Sequence, residues 1–513
     1  MIVSPTYEDF AAAYEKGQAQ VVSTRLVADL ETPVSAMLKL SRNARYSFLL
    51  ESVEGGAVRG RYSIIGMNPD VIWRVVGNEA SFNRNALRDS DGPFVAAGAD
   101  PLTSLRSLLA ESRISLPEDA PPMAAGVFGY LGYDMVRLME DLPDPNPDTL
   151  GLPDGMMIRP TVMAIFDSVR DEVTVTAPVY PDVSISARAA YARANERVSE
   201  VVDSLDRPID MMMRESDAPP MAAALSNTSP DDYKAMVLKA KDYIAAGDIF
   251  QAVLSQRFET EFTLPPFSLY RALRRVNPSP FLYFLNFDHF AVVGSSPEIL
   301  VRVREGKVSI RPIAGTRRRG ATPTEDKALA EELLADPKEL AEHLMLLDLG
   351  RNDVGRVAEI GSVKVTDRFI LEYYSQVMHI VSNVEGKLSN KYDMIDALCA
   401  GFPAGTVSGA PKVRAMEIID ELEKNKRGIY GGCVGYFGAD GEMDTCIVLR
   451  TAVVKDGWLH VQAGAGITND SVPASEQQEC INKAKAIVRA AQEAVRFAAK
   501  ATKGGNGNGG VFG

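Results

Sequence analysis

Short strand-forming runs recur along most of this chain, and tight turns separate them as often as helices do. IFQAVLSQRFET (249–260), PFLYFLNF (280–287), HFAVVGSS (289–296), KVSIRPIAG (307–315), YYSQVMHIVSNVEG (373–386), YGGCVGYFG (430–438), CIVLRTAVVKDG (446–457) and WLHVQAGAGI (458–467) carry the β-branched and aromatic residues that favour a pleated surface. A doubly wound parallel sheet needs a helical crossover between successive strands, and hairpin spacing leaves no room for one. The pattern predicts an α+β fold in which mixed or antiparallel sheets are layered with helices.

With 513 residues the chain exceeds one ordinary domain, and two are expected. Residues 1–206 read as an N-terminal domain. SFLLES (47–52) leads through the turn EGG to RGRYSIIGMNPDVIWRVVG (59–77), which offers two more strands, and PMAAGVFGYLGYDMVRL (122–138) reads as a Gly-rich strand running into a helix. Residues 207–228, rich in Pro, Met, Ala and Ser without periodicity, read as a surface linker. A helix then starts at Ser229 as N-cap and Pro230, with Tyr233, Met236, Val237, Ala240 and Ile244 on one face, opening a second domain over 229–500. The tail 501–513, ending in KGGNGNGGVFG, is expected to be disordered.

Composition removes several function classes. A net charge of −13 gives no basic footprint for nucleic acid. No apolar run is long enough to span a bilayer, and the acidic, mixed N-terminus is unlike a signal peptide. Cys399, Cys433, Cys446 and Cys480 lack metal or disulfide spacing, and are expected to be reduced thiols of a cytoplasmic protein.

Two glutamate pairs carry the first chemical signal. Glu339 and Glu342 in DPKELAEHLMLLD, and Glu476 and Glu479 in ASEQQECINKAKAI, sit three residues apart on expected helices, so each pair shares a face. A single pair is ordinarily a solvated helix face. Two such helices meeting across a cleft would gather four carboxylates, which repel unless a hard cation such as Mg²⁺ neutralises them. Asp336 and Pro337 read as N-cap and first helical residue, with Leu340, His343, Leu344 and Leu347 packing behind. Lys483 continues the stripe of Glu476 and Glu479, either in an intrahelical pair or holding an anion.

Three glycine-bearing loops could bring backbone N–H groups to an anion: AGTVSGAPK (404–412), QAGAGI (462–467) and PIAGTRRRG (312–320). None has the GxxxxGK[ST] pattern of a phosphate loop. Of four histidines, His379 lies among alternating apolar residues, either a satisfied core side chain or an acid/base group. Glu298 follows a strand at a Ser-Pro turn, a partly apolar setting that could raise its pKa for proton donation. Arg450 and Tyr430 offer a carboxylate fork and a hydroxyl.

Taken in order, PIAGTR, KELAEHLMLLDLGRND, QVMHIVSNVEG, GFPAGTVSGAPK, YGGCVGYF, LRT, QAGAGI and SEQQECINKA make this chain resemble the chorismate-utilising enzymes, and among them most closely the anthranilate synthase large subunits. The resemblance is dense over residues 227–495 and thinner through LLES and RYSIIG. It implies a Mg²⁺ site with Glu342 and Glu479 as nearest ligands and Glu339 and Glu476 close by. It implies a substrate cradle of Gly315, Thr316, Tyr430, Arg450, Gly464, Ala465, Gly466 and Lys483 for chorismate, with Thr406 also in contact. Glu298 would protonate the departing C4 hydroxyl, and His379 would assist proton removal and loss of pyruvate.

Within that family the resemblance also speaks to the reaction. Aminodeoxychorismate synthases typically carry a lysine where this chain has Ala314, and isochorismate synthases a water-activating lysine where it has Gln251. Lacking both, the site matches ammonia as nucleophile and anthranilate plus pyruvate as products, opening tryptophan biosynthesis. No GxCxGxQ elbow is present, so ammonia is expected from a separate glutamine amidotransferase subunit, in a paired heterotetramer. Glu51 and Ser52 of LLES, with Asn277, Pro278, Ser279, Pro280, Phe281, Leu282 and Cys446, resemble a tryptophan feedback site; relatives often have Tyr-Met at Phe281-Leu282. The rival expectations are aminodeoxychorismate synthase and a non-catalytic tryptophan sensor.

Overall fold

A computed structural model describes residues 2–54, 58–209, 221–374 and 377–504. Every strand pairing between the described strands is antiparallel, and helices cover the sheet faces, as the α+β reading predicts. The turns explain the preference. Glu305 and Gly306 (φ 51° and 71°), and Asp456 and Gly457 (φ 51° and 80°), put both central residues of two-residue hairpins in the left-handed region. That geometry matches the strand twist and is easiest for Gly and Asp.

The two halves of the sequence share strand pairings. Strand Tyr46–Glu54 lies between Val58–Val76 and Phe281–Phe287, and strand Gly126–Leu131 lies between Gly155–Asp167 and Cys433–Gly438. One apolar cluster accordingly holds Phe10, Leu49 and Val175 together with Leu273, Val461 and Ile487. Helix Pro473–Gly504 packs on strand Trp458–Ile467 and against helices Pro230–Ala246 and Pro266–Val276. None of the described helices is long and apolar enough to cross a membrane, and all four cysteines are free.

Several local expectations need correction. RGRYSIIGMNPDVIWRVVG forms one strand, Val58–Val76, kinked at Asn68 (φ 53°) and bulged between Pro69 and Val71 instead of broken into two. After Gly126–Leu131 the chain enters a 3₁₀ helix, Tyr133–Leu138, not an α-helix. KVSIRPIAG is split into Lys307–Ile310 and Ile313–Arg318, because Pro312 has no N–H for the ladder. The helix Pro230–Ala246 starts on Ser229 as expected, with Tyr233, Met236, Val237 and Ala240 buried. Of the expected linker, residues 210–220 lie outside the described residues, and Leu225–Ser226 pairs with Phe258–Glu259. The last helix runs to Gly504, and residues 505–513 of the tail lie outside the described residues.

Candidate active site

Asp336 caps helix Pro337–Gly355, accepting from the Lys338 and Glu339 N–H groups at 3.0 and 3.4 Å. This fixes where the glutamates emerge. His343 and Leu347 turn inward, but Leu344 is exposed, since the helix packs over a narrower stripe than its sequence suggests. Glu339 and Glu342 are half-buried. Burial raises the Glu342 pKa, and the charges of Glu339 and Glu479 raise it further. Glu476 is raised likewise by burial and by Glu479. The two helices therefore bring Glu342 and Glu479 close enough for one charge to act on the other.

Each carboxylate is also restrained. Arg317 donates to Glu339 at 2.9 Å and to Asp336 and Glu332 at 2.8 and 3.0 Å. Gln251 Nε2 donates to Glu342 at 3.3 Å, while its own buried Oε1 has no partner. Lys483 forms the intrahelical pair with Glu479 at 2.7 Å and also donates to the Gly464 carbonyl at 2.8 Å, which ties the helix to the 458–467 strand. Arg317 is a residue that sequence reasoning missed; the Arg run after PIAGT was its only signal. Among the described residues, one group of three His, Asp, Glu or Cys ligand atoms lies within 4.8 Å of one another, and it is the exposed Asp91, Asp288 and His289, not the cleft carboxylates. An all-oxygen donor set in which Glu342 and Glu476 are held up by neighbouring carboxylates is nevertheless suited to a hard cation.

The acid and base candidates share Arg450 as a charged neighbour. Glu298 follows strand Phe290–Ser296 and is buried. Burial pushes its carboxyl up to about 8, against the opposing pull of the Thr406 hydroxyl, the Ile313 N–H and Arg450. Thr406 lies in the 3₁₀ turn Gly405–Val407, and its buried Oγ1 makes no hydrogen bond of good geometry. Arg450 has φ 48°, a strained conformation for a non-glycine residue, where the chain leaves strand Met443–Ile447 for Thr451–Lys455. Its guanidinium is pushed down by burial and acts on both Glu298 and His379.

His379, on strand Val377–Lys387, has Nδ1 3.1 Å from the Gly315 carbonyl and 3.0 Å from Thr316 Oγ1. A carbonyl only accepts, so Nδ1 carries the proton and Nε2 keeps a free lone pair. Burial and the Arg450 charge hold the imidazole pKa down to about 4. Gly315 has φ 70°, and a Cβ there would sit 3.2 Å from Glu339 Oε2.

Of the two readings of residues 462–467, strand end and glycine-bearing loop, the strand holds, running Trp458–Ile467. Gly464, Ala465 and Gly466 pair with Ser255, Leu254 and Val253 of strand Gln251–Glu261. Missing side chains leave the space beside them to other groups: a Cβ on Gly464 would meet the Tyr430 hydroxyl at 2.8 Å, and one on Gly466 would meet Gln251 Nε2 at 2.4 Å. Gly315 and Thr316 are likewise in a strand, Ile313–Arg318, with its register shifted between Ala314 and Thr316. Lys412 of the third loop is not free for an anion, because it pairs with buried Asp353 at 3.0 Å.

A second group assembles elsewhere. Strand pairing sets Leu282 opposite Glu51 and Phe281 opposite Ser52, just after half-buried Pro280. The Glu51 carboxylate accepts from Tyr270 at 2.7 Å and Arg274 at 2.8 Å. Asn277 Nδ2 is buried there without a partner, and Cys446 shares an apolar cluster with Leu50, Tyr283 and Phe281.

Comparison with known proteins is consistent with this geometry. Residues 59–489 match the chorismate binding enzyme family. Anthranilate synthase component 1 of Cereibacter sphaeroides is 58% identical over 499 residues, covering 97% of this chain and all of that one. Its Pseudomonas aeruginosa counterpart is 46% identical, over 94% of this chain and 98% of its own. The crystal structure of anthranilate synthase component I from Streptococcus pneumoniae superposes with a TM-score of 0.74 at 39% identity, covering 84% of this chain and 92% of that one. The menaquinone-specific isochorismate synthase of Escherichia coli shares the fold, with a TM-score of 0.70 at 18% identity over 95% of this chain and all of its own.

Proposed function

The chain belongs to the chorismate-binding enzyme family, and on that premise we propose that it is the large component of an anthranilate synthase, converting chorismate and ammonia to anthranilate, pyruvate and water. The observation that carries the mechanism is the opposed tuning of two buried groups. Glu298 is held protonated up to about pH 8, while His379 stays neutral down to about pH 4. Between those limits the site presents an acid with a proton to give and a base with a lone pair to receive one.

The first step adds ammonia to C2 of the ring as both ring double bonds shift and the C4 hydroxyl leaves. Hydroxide is a poor leaving group; the Glu298 proton lets it depart as water. In the second step His379 Nε2 assists removal of the C2 proton while the enolpyruvyl ether bond breaks, which aromatises the ring and releases pyruvate. Arg450 and Lys483 supply charge for the substrate carboxylates, and Tyr430 and the 464–466 strand close the pocket wall. The absence of a lysine at Ala314 and Gln251 supports ammonia over a side-chain amine or activated water.

The carboxylates Glu342 and Glu479, with Glu339 and Glu476, would hold Mg²⁺, which when bound anchors a substrate carboxylate. Ammonia would reach the site from a glutamine amidotransferase component, the partner that the relatives' component numbering implies, in a heterotetramer. The pocket at Glu51, Ser52, Asn277 and Pro280–Leu282 would take tryptophan as inhibitor, with the free Asn277 Nδ2 as its hydrogen-bond donor. The roles are separable by where the reaction stops. Glu298→Gln should leave chorismate unconsumed, and His379→Phe should consume it into a non-aromatic amino compound. Chorismate turnover at the normal rate in Glu298→Gln would refute the assignment.

A further inference from the structure

Glu423 and Arg427 form the most deeply buried ion pair in contact with the site, with side chains only 4% and 2% exposed. Arg427 Nη2 meets Glu423 Oε1 at 2.6 Å and Nε meets Oε2 at 3.0 Å. Desolvating two charges offsets most of their attraction, so such a pair is a weak source of stability. What it binds beyond itself is more informative. Arg427 Nη1 donates to the Val407 carbonyl and Nη2 to the Val253 carbonyl, each at 2.6 Å. Glu423 Oε1 accepts from the Ser255 N–H and hydroxyl at 2.7 and 2.9 Å, and Gln462 donates to that hydroxyl at 2.8 Å. The guanidinium also lies over the rings of Tyr133 and Tyr430, at 4.7 and 5.5 Å.

These contacts converge on the reacting groups. Val407 follows Thr406, whose buried hydroxyl is without a hydrogen-bond partner and within reach of the Glu298 carboxyl, and Val253 pairs with Gly466 on the substrate wall. A planar guanidinium can hold two carbonyls at a fixed separation, which a point-charge ammonium cannot. We propose that Arg427, held by Glu423, is a positioning residue that fixes the Thr406 turn against strand Gln251–Glu261 and so sets where the unpartnered Thr406 hydroxyl stands beside Glu298.

This inference rests on the anthranilate synthase reading, and the test separates the two. Full-length wild type, Arg427→Lys, Thr406→Val and their double mutant are assayed with chorismate and ammonium, and their thermal unfolding is recorded. Arg427→Lys should lower kcat by roughly tenfold or more with KM for chorismate little changed, because a small misplacement costs rate before it costs binding. Adding Thr406→Val should cost nothing further, since both changes remove one coupled unit. Should Arg427→Lys fold poorly, Glu423→Gln/Arg427→Met removes both charges together and should show the same loss of kcat. Wild-type kcat in Arg427→Lys, or a double mutant whose loss is the product of the two single losses, overturns the proposal while leaving the enzyme's function intact. Wild type that forms no anthranilate overturns both.

Discussion

Replacing Glu298 by glutamine should stabilise the protein, and by an amount that depends on pH. The glutamate carboxyl moves from an ordinary 4.5 to about 8 on folding, mainly through burial. The folded state thus binds this proton more tightly than the unfolded chain. Below the unfolded value both states are protonated and Glu298 costs nothing; stability is lost as the pH rises from there to the folded value. At about 1.4 kcal/mol per pH unit, the loss reaches about 3 kcal/mol at pH 7 and levels off between about 4 and 5 kcal/mol above pH 8. Glutamine has nearly the same volume and never ionises, so Glu298→Gln should match wild type at low pH and exceed it increasingly above. Urea midpoints of both proteins at pH 5 and pH 9 measure the difference. An equal difference at the two pH values, or a variant less stable at pH 9, would refute the buried, proton-holding carboxyl. The gain in stability comes with a loss of roughly 10²–10⁴ in kcat, the usual worth of a general acid.

Other outcomes follow from the same geometry. With free ammonia saturating, kcat/KM for chorismate should hold a plateau between an acid limb near 4 from His379 and an alkaline limb near 8 from Glu298. Glu342→Gln should weaken Mg²⁺ binding in a calorimetric titration by about tenfold or more, because ligand charge sets affinity for a hard cation; unchanged binding would return Glu342 to the status of an ordinary cleft side chain. Glu51→Gln removes the charge that faces Arg274 and Tyr270, and should cost about 2 kcal/mol in urea unfolding while weakening inhibition by tryptophan.

Much of this was legible because short-range chemistry dictated it. The Asp336-Pro337 and Ser229-Pro230 starts and the i, i+3 glutamates depend on neighbours in sequence, and they folded as read. Errors arose where tertiary pairing overrode local signals. Glycines at 464 and 466 invited a second reading as a loop, yet the strand reading of 458–467 holds, and they are bare so that Tyr430 and Gln251 can approach. Asn68-Pro69 looks like a strand end, but pairing of Met67 with Val162 and of Pro69 with Pro160 carries the chain through to a bulge before Val71. Leu344 satisfies the helical period but finds no element to cover it. Arg427 and Glu423 were invisible because a Glu–Arg pair at i, i+4 is ordinarily a solvated face, and only burial reveals the carbonyls it holds.

The most direct test of the central claim is anthranilate fluorescence from the purified chain with chorismate and ammonium at mildly alkaline pH, with and without Mg²⁺. A Mg²⁺-dependent signal, accompanied by pyruvate in equal amount and suppressed by tryptophan, is the predicted result. Chorismate consumed without fluorescence, or left untouched, would contradict it.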